Sequence, residues 1–180
     1  MGYLDHPRKF PQLTSANSGE EAGATKRYNC VAWAAGDDSR WWWPIAGRYW
    51  PQGVPREATL EAFVLAFESL GYRLCNDDAL VDRTEKVAFY FLAGKPKHAA
   101  RQLESGNWTS KLGESERIWH STVQDVEGPW YGKAAVFMQR RLDADQPSRG
   151  FARFMFWLAI AGALIAVLLV LLVWLQFLLG

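Results

Sequence analysis

Two residues in this sequence have side chains that could together perform nucleophilic chemistry. Cys30 lies in NCVAWAAG, a pattern that predicts a short helix with Asn29 as its N-cap and Gly36 at its end. A thiol in the first turn of a helix is close to unpaired N–H groups, and these favour the thiolate. His98 opens a predicted strand downstream, and an imidazole within reach of the sulfur would first remove and later return its proton. The sequence therefore predicts a thiol nucleophile with a histidine base.

The elements that must position this pair are two helices followed by a sheet. A second helix is predicted from TLEAFVLAFESLG, with Thr59 as its N-cap and Gly71 at its end. The segments EKVAFYFLAG, HAARQL, WTSKLG and GKAAVFMQRR have the pattern of strands, and a short helix or turn is expected over residues 114–121. This order predicts an α+β fold with N-terminal helices packed on an antiparallel sheet.

The strand after His98 offers candidates for a third site residue that would orient the imidazole. If ESGN forms a two-residue turn, Thr109 and Lys111 share the face of His98, whereas one bulge would bring Ser110 to that face instead. His120 would close the site if its own segment folded back.

The order of these segments resembles the papain-like cysteine peptidases in their compact bacterial, NlpC-type form. In that family the nucleophile begins a helix packed on an antiparallel sheet, and the histidine begins a strand. The segments YNCVAWA and HAARQL follow this order, and the resemblance covers roughly residues 28–141. The N-C-x-x-W-A start, together with HAARQL and WTSKLG, also resembles uncharacterised bacterial proteins.

The resemblance implies catalytic roles for Cys30, His98 and Ser110, since Ser110 has a spacing similar to that of the family's third polar residue. It also implies an oxyanion hole that includes the backbone N–H of Cys30, with assistance from Tyr28 or Asn29. Asn29 stands where NlpC-type enzymes often have an aspartate.

Neither a metal nor a cofactor is predicted. Cys30, Cys75, His98 and His120 are residue types that bind zinc, but no two of them have the short spacing of structural zinc sites. The net charge of +1 and the pI near 7.8 also give no support for nucleic-acid binding.

The aromatic loop from WWWP at 41–44 to YWP at 49–51 has three interpretations. It could form a wall of a substrate cleft, in which case Trp43 and Trp50 are binding residues. It could contact lipid headgroups, or it could pack over one end of the sheet.

The charged residues all lie within residues 1–153, and an apolar run of 22 residues follows from Phe154. A run of that length spans a bilayer core as a helix. Arginines precede it and no charge follows, which predicts a domain that faces the cytoplasm of a bacterial inner membrane. The predicted organisation is a polar N-terminal arm (1–27), an α+β domain (28–141), a basic linker (142–153) and a transmembrane helix in contact with the lipid bilayer (154–179).

The resulting functional prediction is a membrane-anchored thiol hydrolase or transferase whose peptide, amide or acyl substrate the sequence leaves open. We expect Cys30 to react with iodoacetamide faster than Cys75. A serine orients an imidazole less firmly than His, Asn or Asp, and this favours an alternative, a catalytically inactive binding module at the membrane. A bacterial effector or toxin is a third interpretation.

Overall fold

A seven-stranded antiparallel sheet dominates the computed structural model, which describes residues 2–5 and 8–142. The strands within this part of the chain are β1 (Ser18–Ala22), β2 (Arg73–Cys75), β3 (Thr84–Leu92), β4 (Lys95–Gln102), β5 (Trp108–Lys111), β6 (Arg117–His120) and β7 (Lys133–Arg141). Their spatial order is β1-β6-β5-β4-β3-β7-β2. Two α-helices, α1 (Cys30–Ala35) and α2 (Leu60–Glu68), and two 3-10 turns, Tyr3–Asp5 and Val123–Val126, accompany the sheet.

The predicted fold class is wrong. The described residues are mostly antiparallel sheet, and their helices have only six and nine residues, instead of an N-terminal helical layer followed by a transmembrane helix. Within residues 2–5 and 8–142, no helix has both the length and the apolar character needed to cross a membrane. The predicted span, 154–179, and all but the first residue of the predicted linker lie outside the described residues.

The two helices begin where their capping residues predict. The Asn29 side chain accepts a hydrogen bond from the backbone N–H of Ala32, and the Thr59 hydroxyl does the same for that of Ala62. Helix α1 ends at Gly36, whose φ of 81° is a left-handed conformation that favours glycine. Short polar caps thus fix the start of α1 at the cysteine.

Two strands form in segments where the sequence predicts none. β1 lies in the predicted polar arm, and β6 replaces the helix or turn expected over residues 114–121. They pair with each other, with Gly19 opposite Trp119. A Cβ at Gly19 would collide with the indole of Trp119, so this glycine allows β1 to close the edge of the sheet.

The turn between β4 and β5 sets which residues face each other across the two strands. The backbone N–H of Leu103 donates to the carbonyl of Asn107 at 2.7 Å, which leaves a three-residue loop, 104–106, where a two-residue turn was expected. The extra residue shifts the register by one, so that Ser110 pairs with Ala100. This places Ser110 on the same face as the histidine of β4.

The two faces of the sheet bury different sets of side chains. On one, the helix face, Val87, Phe89, Ala99 and Met138 belong to a core formed with α1, α2 and the aromatic loop. On the other, the loop face, Ala88, Tyr90, Ala100 and Ile118 pack with residues of the N-terminal segment and the second 3-10 turn. Strand alternation separates these sets because successive side chains point to opposite faces.

Candidate functional site

Three polar side chains on neighbouring strands form a continuous hydrogen-bonded chain on the loop face. Ser110 of β5 lies between the two histidines, with its Oγ 2.9 Å from Nε2 of His98 on β4 and 2.9 Å from Nε2 of His120 on β6. The Nδ1 of His120 is 2.7 Å from the carbonyl oxygen of Thr122. Hereafter this set is the His–Ser–His chain, and its three side chains are fully buried.

Both histidines of the chain are neutral at physiological pH. Burial lowers the pKa of His98 well below its ordinary 6.5, and a positive charge on His120 would lower it further. Burial also lowers the pKa of His120 to about 4, although the Thr122 carbonyl and the charge of Asp125 act in the opposite direction. Desolvation disfavours the imidazolium, so each ring carries one N–H and one acceptor nitrogen.

The Thr122 carbonyl sets the direction of every hydrogen bond in the chain. A carbonyl oxygen only accepts, so Nδ1 of His120 must be the donor and its Nε2 must be the acceptor. The Ser110 hydroxyl then donates to His120, and its oxygen accepts the N–H of His98 Nε2. His98 is thereby assigned the tautomer in which Nδ1 carries no proton.

The Nδ1 atom of His98 is buried and has no hydrogen-bond partner within the described residues. An unpaired buried acceptor costs about 1–3 kcal/mol. The ring itself is firmly held, because Tyr131 stacks on it at a centroid distance of 4.0 Å and an interplanar angle of 6°, and Tyr90 packs at 5.2 Å. The structure therefore holds the imidazole ring in place with an unprotonated Nδ1 that has no hydrogen-bond partner among the described residues.

Cys30 lies against the same strand as His98. The backbone N–H of Ala99, the residue after His98, is close enough to the Cys30 sulfur to favour the thiolate, and so are backbone N–H groups at the start of α1. Burial raises the pKa of the thiol to about 11, while these N–H groups and the positive charge of Lys111 act in the opposite direction. The cysteine is only 5% exposed, and its resting state is the thiol.

The structure thus brings His98, Ser110 and His120 together on the loop face, whereas Cys30 of α1 belongs to the helix-face core and meets β4 next to His98, at Ala99. The thiol and the imidazole are not hydrogen-bonded to each other, since within the described residues His98 Nδ1 has no partner. The arrangement can accept a proton at this nitrogen once the sulfur and the imidazole meet.

Tyr28 and Asn29, the residues expected to assist the oxyanion hole, have partners in the protein. The hydroxyl of Tyr28 is 3.5 Å from Nη1 of Arg117, which donates to it, and the ring packs 6.0 Å from that of Trp33. The Asn29 side chain caps α1 and also donates to the carbonyl of Trp42 at 2.7 Å. Both residues fix the start of α1.

Trp43 and Trp50 lie away from the His–Ser–His chain. Their rings pack on Phe63 of α2, at centroid distances of 5.5 Å and 5.1 Å. Trp50 is 3% exposed and its indole N–H donates to the Pro55 carbonyl at 2.9 Å. The geometry gives both tryptophans a place in the helix-face core, which agrees with the packing interpretation of the aromatic loop.

Cys75 lies at the end of β2, on the far edge of the sheet from the His–Ser–His chain. Both cysteines are free thiols. Within residues 2–5 and 8–142, no group of three His, Cys, Asp or Glu side chains is arranged to hold a metal ion.

Sequence reasoning missed Tyr131, which covers the imidazole of His98. The tyrosine lies in a short loop closed by mutual hydrogen bonds between Gly128 and Gly132. A Cβ at Gly132 would collide with the carbonyl of Phe91, so only glycine lets this loop approach β3 so closely. The Gly-Pro-Trp-Tyr-Gly sequence signals a turn, but its position over the histidine depends on the sheet.

The fold and the site define a class: an antiparallel-sheet domain in which a helix that begins with a cysteine packs on two of the strands that carry a buried His–Ser–His chain. The sequence model of a domain of unknown function, DUF7689, matches residues 20–139, well over half of the 180-residue chain, and the protein belongs to this family. The matched region contains every member of the site. No curated protein and no solved structure matches the chain.

Proposed function

We propose that this protein is a thiol-dependent hydrolase or acyl transferase that acts on an ester, thioester or amide through Cys30. The observation that carries the proposal is the direction of the His–Ser–His chain. Among the described residues it leaves Nδ1 of His98 as a buried, unprotonated acceptor without a partner, and the next residue along the strand, Ala99, is the one whose N–H favours the Cys30 thiolate. A general base requires an available lone pair of this kind.

The proposed reaction has two balanced steps. In the first, the Cys30 proton passes to Nδ1 of His98 while the sulfur bonds to the substrate carbonyl carbon. The bond to the leaving oxygen, nitrogen or sulfur then breaks, and the leaving group takes that proton. In the second, water or another acceptor attacks the thioester, its proton passes through Nδ1 to the sulfur, and the thiol is restored.

The raised pKa of Cys30 favours a pair that is neutral at rest over a preformed thiolate–imidazolium pair. Proton transfer then accompanies substrate attack, and the negative charge that develops on sulfur meets the N–H of Ala99 and the charge of Lys111. The ammonium of Lys111 is held in place by the carbonyls of Gly113 and Ser115, each at 2.6 Å.

Ser110 and His120 are positioning residues in this proposal. They touch neither the substrate nor the sulfur, and they act by holding the Nε2–H tautomer of His98. The resemblance to NlpC-type peptidases supports the proposal through the order and residue types of Cys30 and His98 alone. No step depends on residues 154–179.

An acyl-release assay with p-nitrophenyl acetate tests this function without knowledge of the natural substrate. We expect a burst of p-nitrophenol equal to the protein concentration, because one thioester forms on each Cys30. Cys30→Ala should abolish the burst, and Cys75→Ala serves as the matched control that keeps it. His98→Ala should slow acylation about 10²- to 10⁴-fold.

Ser110→Ala should slow acylation less than His98→Ala and should change its pH profile, because the tautomer of His98 is no longer fixed. Thr109→Val, on the opposite face of the same strand, should leave that profile unchanged. A burst that survives in Cys30→Ala would refute the proposal, as would the lack of any burst in the wild-type protein.

A second candidate is a binding module without catalysis. It is favoured by the pKa of about 11 at Cys30. It is also favoured because, within the described residues, no hydrogen bond joins the thiol to Nδ1 of His98. The acyl-release assay separates the two candidates, since a binding module would release no p-nitrophenol through Cys30.

A further inference from the structure

A cavity of about 230 Å³ lies beside the ring that covers His98. Its walls are mainly aromatic, from Tyr3 and Phe10 of the N-terminal segment and from Trp130 and Tyr131 of the loop closed by Gly128 and Gly132. Its remaining lining comes chiefly from the turn after β5, residues 112–115. The cavity therefore has flat apolar walls and a short polar edge.

Tyr131 connects this cavity to the candidate site. One side of its ring stacks on His98 at 4.0 Å, and the residue also lines the cavity. Burial, and to a smaller extent the charge that Cys30 carries when it is ionised, raise the pKa of the Tyr131 phenol well above its usual value. The turn at 112–115 begins two residues after Ser110, so the cavity and the His–Ser–His chain share strand β5.

The size and charge of the cavity restrict what it can hold. An apolar cavity of about 150 Å³ is enough for benzene, so the larger volume here suits a phenyl ring with a few further carbon atoms. Its lining includes one cation, Lys9, and one carboxylate, Glu114. The Lys9 ammonium already lies 4.2 Å from the ring centre of Trp130. This balance favours a neutral aromatic group over an ion.

We propose that this cavity is the acyl-group pocket of the Cys30 site and that it takes an arylalkanoyl group, such as 3-phenylpropionyl. This inference rests on the proposed function, because it names the class of acyl donor that the Cys30 site would use. The aryl group occupies the space between Phe10, Trp130 and Tyr131, and the attached carbonyl carbon reaches the sulfur past the edge of Tyr131. The thioester chemistry is that of the proposed function.

The first experiment compares p-nitrophenyl 3-phenylpropionate with p-nitrophenyl acetate, each corrected for its rate of alkaline hydrolysis. We expect the aryl ester to acylate the protein at least about tenfold faster, since filling an apolar pocket is worth 10- to 200-fold. Ser115→Phe, at an exposed position in the lining, should block the cavity and bring the two rates within about twofold of each other. Ser105→Phe, an exposed turn serine at the opposite end of β5, is the matched control and should keep the preference.

The second experiment measures binding without chemistry, in Cys30→Ala. The probe is the neutral 3-(4-fluorophenyl)propionamide, whose fluorine NMR line should broaden with Cys30→Ala and stay narrow with Cys30→Ala/Ser115→Phe. A Cys30-dependent burst from acetate, with no preference for the aryl ester and no binding of the probe, would overturn the pocket and leave the hydrolase intact. Binding of the probe that depends on Ser115, without any burst, would support the pocket and overturn the hydrolase.

Discussion

The two faces of the sheet bury their side chains in physically different ways. The helix face is closed by aromatic rings that meet edge to face, as where Phe63 and Phe67 of α2 approach Phe89 at 5.9 Å and 4.8 Å. The loop face encloses the His–Ser–His chain, whose stability depends on each polar group having a partner. The helix face is stabilised by the close packing of its rings, and the loop face by hydrogen bonds that run in one direction.

This difference distinguishes the helix face, whose side chains serve packing, from the loop face, which carries the candidate site. Nothing in an apolar core requires a buried histidine, and a chain of buried hydrogen bonds that ends on an unpartnered nitrogen is less stable than an apolar replacement. The loop face carries this cost at Nδ1 of His98, and the same nitrogen is the one that a thiol nucleophile needs. The proposed function gives this cost a role, because a general base needs an unpaired lone pair.

The largest effect should come from breaking the aromatic packing of the helix face. Phe63→Ala removes the ring that contacts Trp43, Trp50 and Phe89, and it should lower the free energy of unfolding by about 3–5 kcal/mol, measured by urea denaturation. Leu65→Ala, at a position of α2 that is 44% exposed, is the control and should cost far less. Equal losses in the two variants would show that α2 does not anchor this face.

The loop face should differ in how its stability responds to pH. The pKa of His98 and that of His120 are both lowered on folding, so the unfolded chain binds protons there at a higher pH than the folded chain does. The free energy of unfolding should therefore fall as the pH decreases from about 6.5 towards 4, by at most about 1.4 kcal/mol per pH unit for each histidine. Urea denaturation at several pH values measures this slope.

Two variants connect that slope to the loop face. Phe63→Ala should lower stability at every pH but keep the slope, since it leaves both histidines buried. His120→Gln removes one of the two groups and should make the slope about half as steep. An unchanged slope in His120→Gln would mean that this histidine is not buried as a neutral ring.

The parts of the fold that the sequence predicts correctly are those set by local contacts. Asn29 and Thr59 predict the starts of α1 and α2 correctly. Each side chain bonds to a backbone N–H only three residues away, so the interaction depends on local sequence alone. β1 could not be predicted from SGEEA, since its residues have low strand propensity and the strand exists because β6 lies beside it. β6 is only four residues long, too short for its alternation to be distinguished from a helical turn.

The site divides along the same line. Cys30 could be named from its residue type and its place at a helix start. His98 could be named from its residue type, but the expectation that it opens a strand is wrong, because β4 begins at Lys95. The face of Ser110 depends on a single residue of loop length between β4 and β5. The contact of Ser110 with His120 depends on the pairing of β5 with β6, and that of His98 with Tyr131 depends on a distant loop. These are contacts between strands, and one sequence without its register does not determine them.

The smallest predicted effect concerns the two cysteines, and it reverses the expectation from the sequence. Cys30 is buried and burial raises its pKa to about 11, whereas Cys75 is more accessible, although burial raises the pKa of that thiol too. At neutral pH iodoacetamide should therefore modify Cys75 first and Cys30 at least about tenfold more slowly, because the thiolate is the reactive form. Peptide mass spectrometry of the wild-type protein, with Cys75→Ala and Cys30→Ala as references for each site, measures both rates.

Faster modification of Cys30 would mean that its proton already resides on His98, and the resting site would then be an ion pair. Slow modification together with a Cys30-dependent acyl burst would instead establish that the substrate itself brings the thiol and Nδ1 of His98 into contact.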